Sequence, residues 1–118
     1  MYNVEYYVDE KGNCEIGEWI AELAEKAEKN KDARINKNKI ASCIKALCQE
    51  GTRIGMPTVR QIEGDLWELR PLSNRIFFFY WKDDTFVLLH HFKKKTKKTP
   101  QREIDKAVKN MNDWKERR

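Results

Sequence analysis

The sequence predicts a small α+β fold in a single domain spanning residues 1–118, with a mainly antiparallel sheet, a helical hairpin and a C-terminal helix. Three observations lead to this prediction. The length suits one domain with one hydrophobic core. Some segments repeat apolar residues with helical spacing, and others are short runs rich in aromatic and β-branched residues, which favour strands. The predicted element order is β-α-α-β-β-β-α, with the helices on one side of the sheet.

The first half of the chain is predicted to form one strand and a helical hairpin. Residues 2–8 are rich in aromatic and β-branched types, as strands are. A helix is predicted over about residues 14–30, because its apolar residues form one stripe and its glutamates lie on the other face. A second helix is predicted over about residues 32–50, with Asp32 as its N-cap and Gly51 as its C-terminal stop.

The second half of the chain is predicted to contain three consecutive strands and a final helix. Residues 52–64 hold glycines and a proline and are predicted to be irregular. Thr99 is the predicted N-cap of the last helix, and Pro100 is its predicted first residue. The predicted strands are residues 66–70, residues 75–82 and about residues 85–94.

Alternation along these strands gives the predicted sheet one nearly apolar face and one mixed face. Turns at residues 83–84 and 71–74 set the pairing, which places Arg75 opposite both Arg70 and Phe92. The apolar face, the expected bed of the helices, consists of Trp67, Leu69, Ile76, Phe78, Tyr80, Val87 and Leu89. The mixed face consists of Leu66, Glu68, Arg70, Arg75, Phe77, Phe79, His90, Phe92 and Lys94.

Positive charge is concentrated in the second half of the chain. The formal net charge is +5, to which residues 52–118 contribute +7 and residues 1–51 contribute −2. Residues 93–98 include five lysines and connect a predicted strand to a predicted helix, so they form a tethered loop. Such a loop contacts phosphates without reading sequence, and a basic half indicates a polyanionic partner. A merely solvated surface is the alternative.

Arg70 and Arg75 are the candidate anion-binding residues of the mixed face. Two arginines directly opposite each other repel unless an anion lies between them. The planar guanidinium group also matches the oxygen atoms of a phosphate. Phe77 and Phe92 lie beside these arginines and could stack nucleic-acid bases. In the structural alternative, Arg70 pairs with Glu68 or Asp65 and the aromatic rings belong to the core.

His90 is the only histidine on the predicted mixed face. Imidazole titrates near neutrality, so His90 is a candidate to carry a proton in a reaction. A satisfied structural histidine is the alternative. His91 falls on the apolar face and is predicted to be structural.

The sequence predicts no metal, cofactor or membrane segment. Its three cysteines are scattered and lack the spacing of metal ligands. No apolar run approaches the roughly 20 residues of a membrane helix. No secretory signal opens the sequence, so a cytoplasmic location is expected.

Several short motifs are similar to those of a known toxin superfamily. They are Leu66–Pro71 (LWELRP), Arg75–Tyr80 (RIFFFY), Leu88–Thr96 (LLHHFKKKT) and the start of the last helix at Thr99–Pro100. In these motifs and in its element order, the chain resembles the RelE/ParE toxins, and most of all their HigB-like, phage-derived addiction-module branch.

The resemblance implies the toxin of a type II toxin–antitoxin pair, which cleaves mRNA on the ribosome without a metal or cofactor and has a helix-turn-helix antitoxin as partner. The RNA 2′-hydroxyl would attack the adjacent phosphate, with Arg75, Arg70 and His90 as catalytic residues. Glu68 stands where some members carry lysine, so the proton acceptor stays open among His90, Glu68 and a lysine. The residues expected to bind RNA are Lys93, Lys94, Lys95, Lys97, Lys98, Phe77 and Phe92.

Two other functions stay open at this point. A gyrase-poisoning toxin can use the same fold without nuclease residues. An inactive phage-derived module can bind nucleic acid or a protein partner without performing chemistry.

Overall fold

The computed structural model describes residues 1–118 and contains three helices and one five-stranded mixed sheet. The strand order is β1-β5-β4-β3-β2, in which β1 runs parallel to β5 and the other pairs are antiparallel. The predicted α+β class is confirmed. No helix combines the length and the apolar character needed to cross a membrane. The elements are β1 Asn3–Tyr6, α1 Glu15–Ala27, α2 Lys31–Glu50, a 3-10 turn Gly51–Ile54, β2 Val59–Glu63, β3 Leu66–Leu69, β4 Asn74–Tyr80, β5 Thr85–Lys93 and α3 Gln101–Arg117.

The sheet has a strand that the sequence did not predict. β2 lies within the segment expected to be irregular and pairs antiparallel with β3 at the edge of the sheet. Its pairing is interrupted by a bulge, and Gly64 at φ +51° makes the tight turn into β3. Glycine and proline on both sides of a five-residue strand hide its pattern, which explains the wrong prediction.

Helices cover both faces of the sheet, so the prediction that they share one side is wrong. The α1–α2 hairpin packs on a face formed by Ile76, Phe78 and other apolar residues. α3 packs on the opposite face, where its buried Trp114 joins the core cluster of Phe77 and Phe79. An amphipathic helix buries its apolar side against an apolar surface, and Phe77, Phe79 and Phe92 of the mixed face provide this surface for α3.

The register between β4 and β5 agrees with the prediction at one end and differs at the other. Arg75 pairs with Phe92 and Phe77 with His90, as predicted. Beyond these pairs Leu89 forms a bulge, and the remaining pairs are shifted by one residue. The prediction for residues 85–89, the N-terminal part of β5, is therefore wrong. Val87 and Leu89 lie in the core under α3, and Phe86 and Leu88 lie in the core under the hairpin.

Two helix starts differ by one or two residues from their predicted positions. The N-cap of α2 is Asn30, whose side chain accepts a hydrogen bond from the Ala33 N–H, and it is not Asp32. The N-cap of α3 is Pro100, and Thr99 makes no capping bond. Gly51 ends α2 as predicted, at φ +65°, where a Cβ would lie 2.9 Å from the Tyr2 ring.

Candidate phosphate-binding site

A buried carboxylate surrounded by arginines occupies the part of the sheet that α3 leaves open. Glu68 on β3 has a fully buried side chain. Its Oε1 lies 3.7 Å from Arg60 Nη2 on β2, 3.5 Å from Arg70 Nε after β3, and 3.8 Å from Arg75 Nε on β4. Alternation places these side chains on one face of three adjacent strands. We call Arg60, Arg70 and Arg75 the arginine cluster.

The contacts between Glu68 and the arginine cluster are charge contacts and not hydrogen bonds. Neither oxygen of Glu68 has a hydrogen-bond partner, and neither does the Nε of any of the three arginines. Directed guanidinium–carboxylate bonds are shorter, at about 2.7–2.9 Å. The guanidinium groups are therefore attracted to Glu68 without being saturated by it, and the exposed parts of Arg60 and Arg70 can still donate to another anion.

The three arginines differ in how firmly they are held. Arg75 is the most buried, with its side chain 10% exposed, and its Nη1 donates to the backbone oxygens of Leu72 at 2.7 Å and Asn74 at 2.8 Å. The Arg70 side chain is 18% exposed and has only long contacts elsewhere, and that of Arg60 is 40% exposed. Arg75 is thus a fixed charge, and an anion arriving from solvent meets Arg70 and Arg60 first.

Lys94 adds a fourth cation to this site. Its backbone N–H donates to Ser73 O at 2.8 Å, which ties the end of β5 to the turn before β4. Burial and the neighbouring arginines lower the pKa of Lys94, although Glu68 acts against this shift. Burial likewise lowers the pKa of Arg75, with Glu68 opposing and Arg70 and Arg60 contributing. The four cations exceed the single carboxylate by three charges, so an added anion is favourable.

The loop of residues 94–100 between β5 and α3, here called the lysine loop, forms one wall of a cleft beside the arginine cluster. The cleft has a volume of about 490 Å³, and Lys97, Lys98 and Arg60 are among its lining residues. Lys93 and Lys95 are exposed and do not line it. The structure therefore brings together Arg70, Arg75 and Lys94, places Lys97 and Lys98 next to them, and leaves Lys93 and Lys95 outside the cleft.

The two phenylalanines expected to stack bases lie in the core. Phe77 is fully buried and Phe92 is 9% exposed, with their ring centroids 5.4 Å apart. Both belong to the cluster that packs against α3. Neither ring offers an open face to a base in this arrangement.

His90 lies between two carboxylates and away from solvent. Its Nδ1 is 2.7 Å from Glu15 on α1, and its Nε2 is 2.7 Å from Glu103 on α3. Burial acts to lower the pKa of His90, but the hydrogen bonds to Glu15 and Glu103 outweigh it and raise the pKa. Both ring nitrogens are occupied and the residue is 4% exposed, so His90 has no free nitrogen for a substrate.

His91 has structural contacts on the hairpin side of the sheet. Its ring stacks on Trp19 with centroids 4.0 Å apart, and its backbone N–H donates to Glu15 Oε2 at 3.0 Å. Burial lowers the pKa of His91, although Glu15 opposes this shift. These contacts fit the structural role predicted for it.

Sequence reasoning missed Arg60, which completes the arginine cluster. Arg60 lies directly opposite Glu68 in the β2–β3 pairing. The only available signal was a short run with two β-branched residues, Val59 and Ile62, before a glycine turn, and their spacing of three does not follow strand alternation. The partners of His90 gave no local signal, because Glu15 and Glu103 are 75 and 13 residues away in sequence.

The chain is similar to a described protein family and to solved structures. A family model described as "Phage derived protein Gp49-like (DUF891)" matches residues 18–112 of the chain. One of the solved structures, titled "YoeB-YefM complex from Staphylococcus aureus", superposes with a TM-score of 0.49 at 12% sequence identity, over 81% of this chain and 99% of that chain. None of the curated proteins matches the sequence.

Proposed function

The chain belongs to the family of phage-derived Gp49-like proteins, and on this basis we propose that it is a toxin of the HigB-like kind, paired with an antitoxin, that cleaves mRNA on the ribosome. The observation that carries the proposal is the arginine cluster around Glu68, with Lys94 beside it. Four partly buried cations with a single carboxylate among them can bind a phosphodiester, because a guanidinium group can donate two parallel hydrogen bonds to the phosphate oxygens.

The proposed reaction needs little from the protein beyond positive charge. The 2′-oxygen of a ribose attacks the adjacent phosphorus and forms an O–P bond, while the bond from phosphorus to the 5′-oxygen breaks. The 2′-hydroxyl loses its proton to water, and the departing 5′-oxygen gains one. Negative charge builds up on the phosphate oxygens during this step, and fixed cations stabilise it without reorganising. Arg75 is the most rigid of these cations and is assigned this role, with Arg70 as the accessible partner.

His90 and Glu68 were expected to act in catalysis or proton transfer, but their contacts favour structural roles for both. His90 is assigned to positioning, because both of its nitrogens are bound by carboxylates. Glu68 lies beneath the arginine cluster, so it is assigned to holding the guanidinium groups together and not to taking a proton from RNA. Phe77 and Phe92 are assigned to the core under α3.

A partner that blocks this function would cover the open face of the arginine cluster or keep the protein off the ribosome. We propose a helix-turn-helix antitoxin in this role, acting in the cytoplasm where ribosomes are. Acidic side chains of such a partner would meet the excess of three positive charges around Glu68.

The test is induced expression in a bacterial host, with primer extension on a reporter mRNA before and after induction. We expect growth arrest and new cuts that are confined to translated regions. Arg75→Ala should reduce cleavage by about 100- to 1000-fold, as the loss of one charge-stabilising donor does in other enzymes. Arg70→Ala should also reduce cleavage. Apart from Glu68, the Arg70 side chain contacts only Met56 Sδ and the Pro57 oxygen, each at 3.4 Å, so its removal should disturb the fold little.

The matched control is Arg53→Ala, which removes an exposed arginine outside the arginine cluster and should leave cleavage unchanged. Growth arrest without any cuts would overturn the nuclease proposal and favour a gyrase target. The absence of both arrest and cuts, in a protein that folds, would favour a binding module without chemistry.

A further inference from the structure

The cleft beside the arginine cluster has the lining of a nucleotide site. Lys97 and Lys98 of the lysine loop supply charge on one side, and Arg60 of β2 supplies it on the other. Ile62 and Ile104 add apolar surface to the same lining. A ribose or a base can lie on apolar surface while its phosphate contacts the cations, which is how proteins bind single-stranded nucleic acid.

Arg60 belongs to the arginine cluster and to the cleft at the same time. Its Nη2 is 3.7 Å from Glu68 Oε1, and the residue also lines the cleft. Its Nε has no hydrogen-bond partner. A guanidinium group has five N–H donors, so one arginine can contact two neighbouring anions.

Thr99, which precedes the N-cap of α3, brings one unpaired hydroxyl group to the lining of the same cleft. α3 is 17 residues long, and its N-cap, Pro100, offers no side-chain hydrogen bond to the first turn. Thr99 lines the cleft, is 7% exposed, and has a hydroxyl group with no hydrogen-bond partner. The N-terminus of a helix attracts anions through its free N–H groups and its dipole. A buried hydroxyl without a partner at that position is a further donor for an anion.

We propose that this cleft is a second phosphate subsite for single-stranded RNA, and that Arg60 bridges the phosphate held there and the one held by the arginine cluster. The identity of the polyanion rests on the proposed function. An acidic peptide would also meet these cations. The isoleucines next to the charges and the continuity with a guanidinium cluster favour a strand of nucleotides.

The test compares short RNA strands that cannot be cleaved, binding to the purified protein. A 2′-O-methyl dinucleotide has one phosphate and a 2′-O-methyl trinucleotide has two, and both lack the attacking hydroxyl. Their dissociation constants are measured by NMR titration. With the wild type we expect the second phosphate to tighten binding about tenfold, which corresponds to about 1.4 kcal/mol. With Arg60→Ala we expect this gain to fall to about twofold or less.

A double variant and a matched control separate the subsite from general positive charge. Lys97→Ala/Lys98→Ala should also abolish the gain in affinity from the second phosphate. Because both lysines are exposed, this variant should fold, and it tests the subsite if Arg60→Ala does not fold. Lys93→Ala/Lys95→Ala removes the same charge from neighbouring positions outside the cleft and should keep the gain. An undiminished gain in both cleft variants, or an equal loss in the control, would overturn the subsite.

Two further outcomes distinguish this inference from the proposed function. If a hexaglutamate peptide displaces the trinucleotide as effectively as a second RNA strand of equal charge does, the cleft is a peptide site and the inference is wrong. If the gain depends on Arg60 while induced cells show no mRNA cuts, the subsite stands and the nuclease proposal fails. If induced cells show cuts but the second phosphate brings no gain, the nuclease proposal stands and the subsite fails.

Discussion

At the scale of single residues, Glu68 is the most informative position in the molecule. A fully buried carboxylate is costly unless it is paired, and this one is paired by charge with three arginines at 3.5–3.8 Å. The arrangement stabilises guanidinium groups that would otherwise repel one another. It also leaves their Nε groups without directed bonds to Glu68, so an incoming phosphate can compete with Glu68 for the guanidinium groups.

Glu68→Gln should make the protein less stable but more responsive to phosphate. Removing the carboxylate charge leaves the arginine cluster uncompensated, and we expect a loss of about 3 kcal/mol in unfolding free energy. Inorganic phosphate should restore part of it, because an anion can replace the lost charge. Thermal unfolding with and without phosphate measures both effects.

The control for this prediction is Glu63→Gln, which changes an exposed glutamate at the end of β2. It should lose little stability and gain no more from phosphate than the wild type does. A phosphate response of Glu68→Gln that equals the wild-type response would show that the anion does not bind at the arginine cluster.

At the scale of elements, one buried histidine joins a helix of the hairpin, the central part of the sheet and the last helix. His90 on β5 contacts Glu15 in the first turn of α1 and Glu103 in the first turn of α3, each at 2.7 Å. Lys106 also lies 3.5 Å from Glu15. This network fixes the start of α3, and with it one end of the lysine loop. The start of α3, which helps to form the cleft, is therefore held in place by His90, Glu15 and Glu103, none of which lines the cleft.

Glu15 should stabilise the protein only above acidic pH. Burial acts to raise its pKa, but hydrogen bonds from His90 and the His91 N–H, with the nearby histidine charges, lower the pKa from 4.5 to about 2. A carboxyl group with a lowered folded-state pKa contributes stability above its unfolded pKa and loses it as the pH falls through the folded value. We expect Glu15→Gln to cost on the order of 2–3 kcal/mol at pH 5 and almost nothing near pH 2.

Chemical denaturation of the wild type and Glu15→Gln between pH 2 and pH 6 checks this expectation. In this range His90, whose folded-state pKa is raised, contributes stability that is present below about pH 6.5. His91, whose pKa is lowered, acts in the opposite direction. Both histidines are coupled to Glu15, so the difference between wild type and variant measures Glu15 together with its interactions with the two imidazoles. Glu18→Gln, on the exposed side of the same helix, should show no such pH dependence.

At the scale of the whole molecule, the two faces of the sheet serve different purposes. The hairpin face is mainly apolar core, whereas the opposite face is divided between core under α3 and the arginine cluster. The basic half of the sequence, with its net charge of +7, supplies the arginine cluster and the lysine loop, and the half with a net charge of −2 supplies the hairpin. The positive charge of the protein is thus concentrated on the strands and the loop that form the arginine cluster and the cleft.

Binding of single-stranded RNA should be strongly weakened by salt. Each phosphate neutralised on a single strand contributes about −0.7 to the slope of log affinity against log salt. Contacts with two phosphates, one at the arginine cluster and one in the cleft, would give a slope of roughly −1.4. Fluorescence anisotropy with an uncleavable 10-nucleotide strand measures it. A slope near zero would show that the cationic face does not bind the strand.

Local patterns in the sequence were enough to predict the α+β class, the three helices, the pairing of Arg75 with Phe92, and the proximity of Arg70, Arg75 and Lys94. These patterns are apolar periodicity, turn residues and runs of charge, each of which acts over a few residues. Glycine and proline obscured β2, so Arg60 was missed.

Tertiary contacts were needed to establish which of these residues form a site and which are buried. The bulge at Leu89 exchanged the faces of half of β5, and α3 then covered Phe77 and Phe92. His90, a candidate proton carrier in the sequence, is bound by two carboxylates from α1 and α3, so it connects these helices to the sheet. Side-chain burial and charge pairing depend on contacts between elements, and strand alternation alone does not specify which helix covers which part of a face.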